Sequence, residues 1–93
     1  MKLLDAIKLD LGIKHGKKDR DVADTIKAAC LDLNIAGVRP NKSDALVRQA
    51  VKLYCRAFYN YQGMSERWQE AYEALKRSLA LSGSHREENG DAQ

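Results

Sequence analysis

Apolar residues recur at intervals of three and four through most of this chain, the spacing that lines one face of an α-helix. The longest such stretch runs from Asn41 to Ser82. Between Asp44 and Gln62, a single face carries Leu46, Ala50, Leu53, Tyr54, Ala57, Phe58 and Tyr61, and Val47 and Val51 widen it. Arg48, Lys52 and Arg56, spaced by four, make a basic stripe on the opposite face. Gly63 is placed to end this helix, because glycine adopts the left-handed backbone of a helix C-terminus without steric cost. Ser65 is placed to cap the next one. That helix carries Trp68, Ala71, Tyr72, Leu75 and Leu79 on one side. Glu66 and Glu70 sit near its positive end, Lys76 and Arg77 near its negative end. Glu73 and Arg77 are an i,i+4 pair in the favourable order. So short a turn makes the two helices antiparallel. Tyr54, Phe58, Tyr61, Trp68 and Tyr72 then gather toward the turn, where the densest part of the core is expected.

Two shorter amphipathic segments precede the hairpin. Leu3, Leu4, Ile7 and Leu11 form a stripe on a first helix that ends near Gly12. Asp19 and Asp21 open a second helix, whose stripe is Val22, Ile26, Ala29, Cys30 and Leu33. Gly37 fits the position just past its end, with Val38 packing back on Leu33 as in a Schellman motif. Pro40 stops any continuation, and Asn41, Ser43 and Asp44 compete to cap the third helix. Strand-like alternation is absent, and one proline with six glycines favours helices. The pattern predicts an all-α bundle of about four helices over residues 1–82. Residues 83–93 offer no large apolar side chain and read as a flexible C-terminal tail.

A length of 93 residues suits one domain with a modest core. Hydrophobic content of 44% with 31% charged residues describes a globular chain and excludes a disordered one. Residues 1–82 hold 15 Lys or Arg against 10 acidic residues, a surplus of five, while the tail holds one against three. Such a surplus is compatible with DNA nearby and equally with a solvated surface of mixed charge. The basic connection from Gly12 to Lys18 reads either as a solvated turn or as a phosphate-facing loop, and it lacks the glycine spacing of a P-loop.

Few residues point to chemistry. Asp5, Asp10, Asp24 and Asp32 are scattered, and no Ser–His–Asp or Cys–His set stands out, so no enzyme is expected. Cys30 and Cys55 lie on or beside apolar faces and read as free, buried thiols in a reducing cytoplasm, with a disulfide between them as the alternative. His15 and His85 lack ligand spacing to either cysteine, so neither a metal nor a cofactor is expected. Asp5 and Lys8 interrupt the N-terminal apolar run, which argues against a secretory signal. No apolar run approaches a membrane span.

The segment AVKLYCRAFYNYQGMSERWQEAYEALKRSLALSG resembles the C-terminal half of the small head–tail connector (adaptor) proteins of tailed double-stranded DNA phages and prophages. Lys52, Leu53, Tyr54, Arg56, Ala57, Tyr59 and Tyr61 fit that family's first run, and Arg67, Tyr72, Leu75, Lys76, Leu79 and Leu81 fit its second. Ala29 to Val38 is similar to the end of the preceding helix. The Gly12–Lys18 connection and the Val38–Lys42 loop match nothing in the family. The resemblance implies a structural virion protein, in host cytoplasm before assembly and at the head–tail interface afterwards. It implies a homo-oligomeric ring, commonly of twelve subunits, beneath the portal protein and above a stopper or tail-completion protein. DNA would pass through the lumen without sequence-specific binding. Arg48, Lys52 and Arg56 then become candidates for a lumen or subunit interface, facing Glu66, Glu70 or Glu73 of a neighbour. The alternative is a small helical DNA-binding regulator or partner-binding module, with a recognition helix starting at Asp44.

Overall fold

Three short connections fold each helix back on the one before it, and the third helix becomes the centre of the molecule. The computed structural model describes residues 2–85. Within them the chain forms α1 (Leu3–Leu11), α2 (Asp19–Ile35), α3 (Ala45–Phe58) and α4 (Ser65–Leu81), with a 3-10 turn at Tyr61–Gly63. The fold is all-α, with no strand among the described residues. α3 packs against each of the other three helices, and most extensively against α4.

That central place explains the burial along α3. Val47, Ala50, Val51 and Cys55 are completely buried, and Leu53 and Ala57 nearly so. These positions cover far more of the circumference than the stripe of a surface helix. Ile7 of α1, Val22, Ala29 and Leu33 of α2, Val38 of the following loop, and Tyr72 and Leu79 of α4 close around them. Each fully buried aliphatic side chain contributes roughly 1.5–3 kcal/mol. A charge in place of Val51 would have no partner and would break the centre of the bundle.

The helix ends follow local rules. Gly12 takes a left-handed backbone (φ 76°), and the Ile13 N–H donates to the Lys8 carbonyl at 2.8 Å. Gly37 (φ 88°) does the same after α2, with the Val38 N–H donating to Leu33 O at 2.9 Å. Both are Schellman closures, and the second has the apolar contact expected of Val38 and Leu33. Asp44 caps α3: its Oδ1 accepts from the Leu46 N–H at 2.8 Å and the Val47 N–H at 3.3 Å.

The hairpin differs from the sequence expectation in ways that share one cause. α3 ends at Phe58, not Gln62, because Asn60 is left-handed (φ 50°) and breaks the helix before Gly63. Ser65 is not the cap of α4. Its hydroxyl donates to the Ala57 carbonyl at 2.8 Å, and its N–H is taken by Asn60 Oδ1 at 3.1 Å. With the helix cut short, Phe58 turns outward and is 65% exposed. Tyr59 turns inward instead, its hydroxyl 3.2 Å from that of Thr25, which also donates to Asp21 O at 2.9 Å. Leu46, expected on the apolar face, is 48% exposed at the first turn of α3. The densest packing therefore lies along the middle of α3 rather than at the hairpin turn. Of the aromatic group expected there, only Tyr72 is fully buried, with Tyr54 against it edge-on at 5.2 Å.

Candidate functional site

Arg56 is engaged inside the subunit. Its Nε and Nη2 donate to the two carboxylate oxygens of Asp10 at 2.8 and 2.6 Å, a bidentate pair tying α3 to the end of α1. The guanidinium also lies 4.7 Å from the Trp68 ring centre and 5.5 Å from that of Tyr61. The Asp10 hydrogen bond outweighs desolvation and raises the guanidinium pKa further. Arg48, one turn into α3, is half-buried and donates to the Lys42 carbonyl at 3.1 Å. Lys52 is half-buried. Of the three cations spaced by four, Arg56 is thus the one held by a carboxylate that the structure records.

The acidic candidates on α4 divide as well. Glu66 and Glu70 are exposed. Glu73 pairs with Lys76 at 3.0 Å, rather than with Arg77, and accepts from Gln69 Nε2 at 3.0 Å. Lys76 also reaches Asp32 at 3.0 Å, and the Tyr72 hydroxyl donates to the same Asp32 oxygen at 2.5 Å. This Tyr72–Asp32–Lys76 group holds α4 to α2. Desolvation pushes the Asp32 carboxyl up, but the bonds from Tyr72 and Lys76 outweigh it and hold it below the usual range. Burial, aided by Asp32, pushes the Tyr72 hydroxyl well above its ordinary value.

Exposed apolar side chains stand at both ends of the bundle. α2 ends, α3 begins and α4 ends together at one pole, where Ile35 is 84%, Leu81 81% and Leu46 48% exposed. At this pole the Arg39 N–H donates to the His85 carbonyl at 2.7 Å, and His85 Nε2 lies 2.9 Å from Asp44 Oδ2. At the other pole, where α1 and α3 end and α4 begins, Leu9 is 72% and Phe58 65% exposed. The expected flexible tail begins at Gly83, yet Gly83–His85 is held in a turn by these contacts. Residues 86–93 lie outside the described residues.

A groove that no sequence pattern announced runs beside α2. One part, of about 430 Å³, is lined by the apolar Leu3, Leu4, Ala23 and Ile26 and by Lys2, Lys27, Lys42, Ser43 and Arg48. A second part, of about 420 Å³, adjoins it at Lys27 and Lys42 and is lined by Cys30, Leu31, Asn34 and Pro40. No acidic residue lines either part among the described residues. Lys27 stands on the exposed side of α2 and Lys42 in the loop before α3, so only the fold brings them together.

Cys55 is fully buried and its thiol is pushed up to about 12, chiefly by desolvation. Cys30 is half-buried, and burial raises its thiol while the nearby Lys42 ammonium offsets part of that rise. Both thiols are free. Among the described residues no group of three His, Cys, Asp or Glu side chains is placed to hold a metal ion. No described helix is long and apolar enough to cross a membrane. The chain matches no protein-family model, and neither a curated protein nor a solved structure is significantly similar to it.

Proposed function

We propose that the chain is a non-enzymatic assembly subunit, a head–tail connector of the kind its C-terminal half resembles, forming a ring beneath a portal through which DNA passes. The supporting observation is the pair of apolar poles. A subunit stacked between a portal above and a stopper or tail-completion protein below needs contact surfaces at both ends. Ile35 and Leu81 at one pole, and Leu9 and Phe58 at the other, supply apolar area that the monomer leaves in water. Motif residues of the resemblance hold the bundle together: Tyr54 packs on Tyr72 within the hairpin, Arg56 ties it to Asp10 of α1, and Lys76 ties it to Asp32 of α2. Of the basic stripe, Arg48 and Lys52 remain the lumen or interface candidates, with Glu66 and Glu70 as acidic counterparts on a neighbour.

The competing reading, a DNA-binding regulator, needs α3 to enter a major groove with its first turns. Val47, Ala50 and Val51 of those turns are buried against the other helices, and the outer side offers the apolar Ala45 and Leu46 beside Arg48 and Gln49. The test is negative-stain imaging of the purified chain, alone and mixed with a phage portal protein. Rings with a central hole, or added density below the portal, are expected. A monomer that ignores the portal would overturn the proposal, and a salt-dependent titration against duplex DNA would then take precedence.

A further inference from the structure

We infer that the groove along α2 is a docking site for an acidic protein segment bearing an apolar side chain. The inference goes beyond the connector reading and does not depend on it, since the groove's chemistry is the same whether or not the chain joins a ring.

The make-up of the groove's lining carries the inference. Lys2, Lys27 and Lys42 line one depression together with Arg48, and no carboxylate lines it among the described residues. Three ammonium groups around a depression with no lining carboxylate favour an anionic occupant. The floor decides which kind. Leu3, Leu4, Ala23 and Ile26 are apolar, and a phosphate backbone has nothing to place on them. A peptide with carboxylates flanking an aliphatic side chain satisfies both floor and rim.

The shape fits a linear segment. The α2 residues that line the two parts run from Ala23 through Ile26, Lys27, Cys30 and Leu31 to Asn34, three turns on one side of the helix. At 1.5 Å per residue that length is about 16 Å, enough for three turns of a helix laid alongside. Leu31, 63% exposed at the far end, gives such a helix a second apolar contact.

The test uses the full chain, isotopically labelled, titrated with a synthetic helical peptide that carries glutamates around two leucines spaced by four. The expected result is movement of the Ala23, Ile26 and Leu31 amide resonances, together with slower alkylation of Cys30. Cys55 is buried and serves as the unreactive control. Lys27→Glu/Lys42→Glu should weaken binding by at least about tenfold, and added salt should weaken it in the wild type. Leu31→Ser, which leaves every charge in place, should weaken it less. Absence of any resonance shift would overturn the inference. So would equal binding of a peptide with serines for leucines, or duplex DNA moving the same amides with equal or greater affinity. Self-association that shifts these amides without peptide would assign the groove to a second copy and overturn it as well.

Discussion

Arg56 and Lys42 are both basic residues near an acidic-poor face in sequence, yet the fold gives them opposite circumstances. Arg56 is fixed by two hydrogen bonds to Asp10 and lies against two aromatic rings, so its charge is used up within the subunit. Lys42 stands on the rim of a groove with no carboxylate in its lining. Charge sign along a sequence therefore does not separate a structural cation from one available to a partner. What separates them is whether the fold delivers an acid from a distant segment. Asp10 reaches Arg56 across 46 positions, and among the described residues no carboxylate lines the groove beside Lys42.

If that distinction is right, Arg56→Met should produce the largest loss. Asp10, only 16% exposed, would be left without a partner, and stability should fall by about 2 kcal/mol in a denaturant titration. Adding Asp10→Leu should recover most of it, because removing both charges leaves no orphan. Tyr72→Phe should cost less, about 1 kcal/mol, through loss of the bond to Asp32.

Acid should act on the same structural class. The Asp32 carboxyl is held below the usual carboxylate range despite desolvation, by Tyr72 and Lys76. Asp44 is also held low: the Leu46 and Val47 N–H groups, then His85, outweigh its desolvation. Depressed carboxyls favour the folded state above their unfolded values. Stability should be level down to about pH 5 and decline below about pH 4 as protons are taken up. A series of melts across that range, compared with Asp32→Asn, checks the sign: the variant's acid decline should be shallower. The smallest effect belongs to the groove. Lys27→Ala and Lys42→Ala should each change stability by no more than about 0.5 kcal/mol while reducing peptide binding. A large loss of stability at Lys42 would erase the distinction between the two cations.

The helices and their α2 closure were legible because both depend on local rules. Periodicity places the helices, and a glycine followed by an apolar residue places the Schellman turn at Gly37 and Val38. The inversion of Phe58 and Tyr59 was not legible. It depends on Asn60 accepting a left-handed backbone three residues before Gly63, where the glycine is the stronger local signal. The choice of Asp44 as cap was open among three residues, and it coincides with a contact to His85 across 41 positions of chain. The candidate stripe was legible as spacing but not as surface, because periodicity says nothing about Asp10. The groove left no trace at all. Its walls come from α1, α2 and the loop before α3, and each segment alone reads as ordinary solvated helix or turn.

Trp68 gives the protein a built-in optical probe with a defined field of view. It is the one tryptophan of the chain, its indole N–H donates to the Tyr61 carbonyl at 2.9 Å, and its ring lies under Arg56. Its emission therefore registers loosening of the hairpin turn and of the Asp10–Arg56 tie, whereas occupancy of the groove beside α2 is read from the rate at which Cys30 reacts. Read together in one sample, the two signals would separate a partner arriving at the turn from one arriving at the groove, without any change to the sequence.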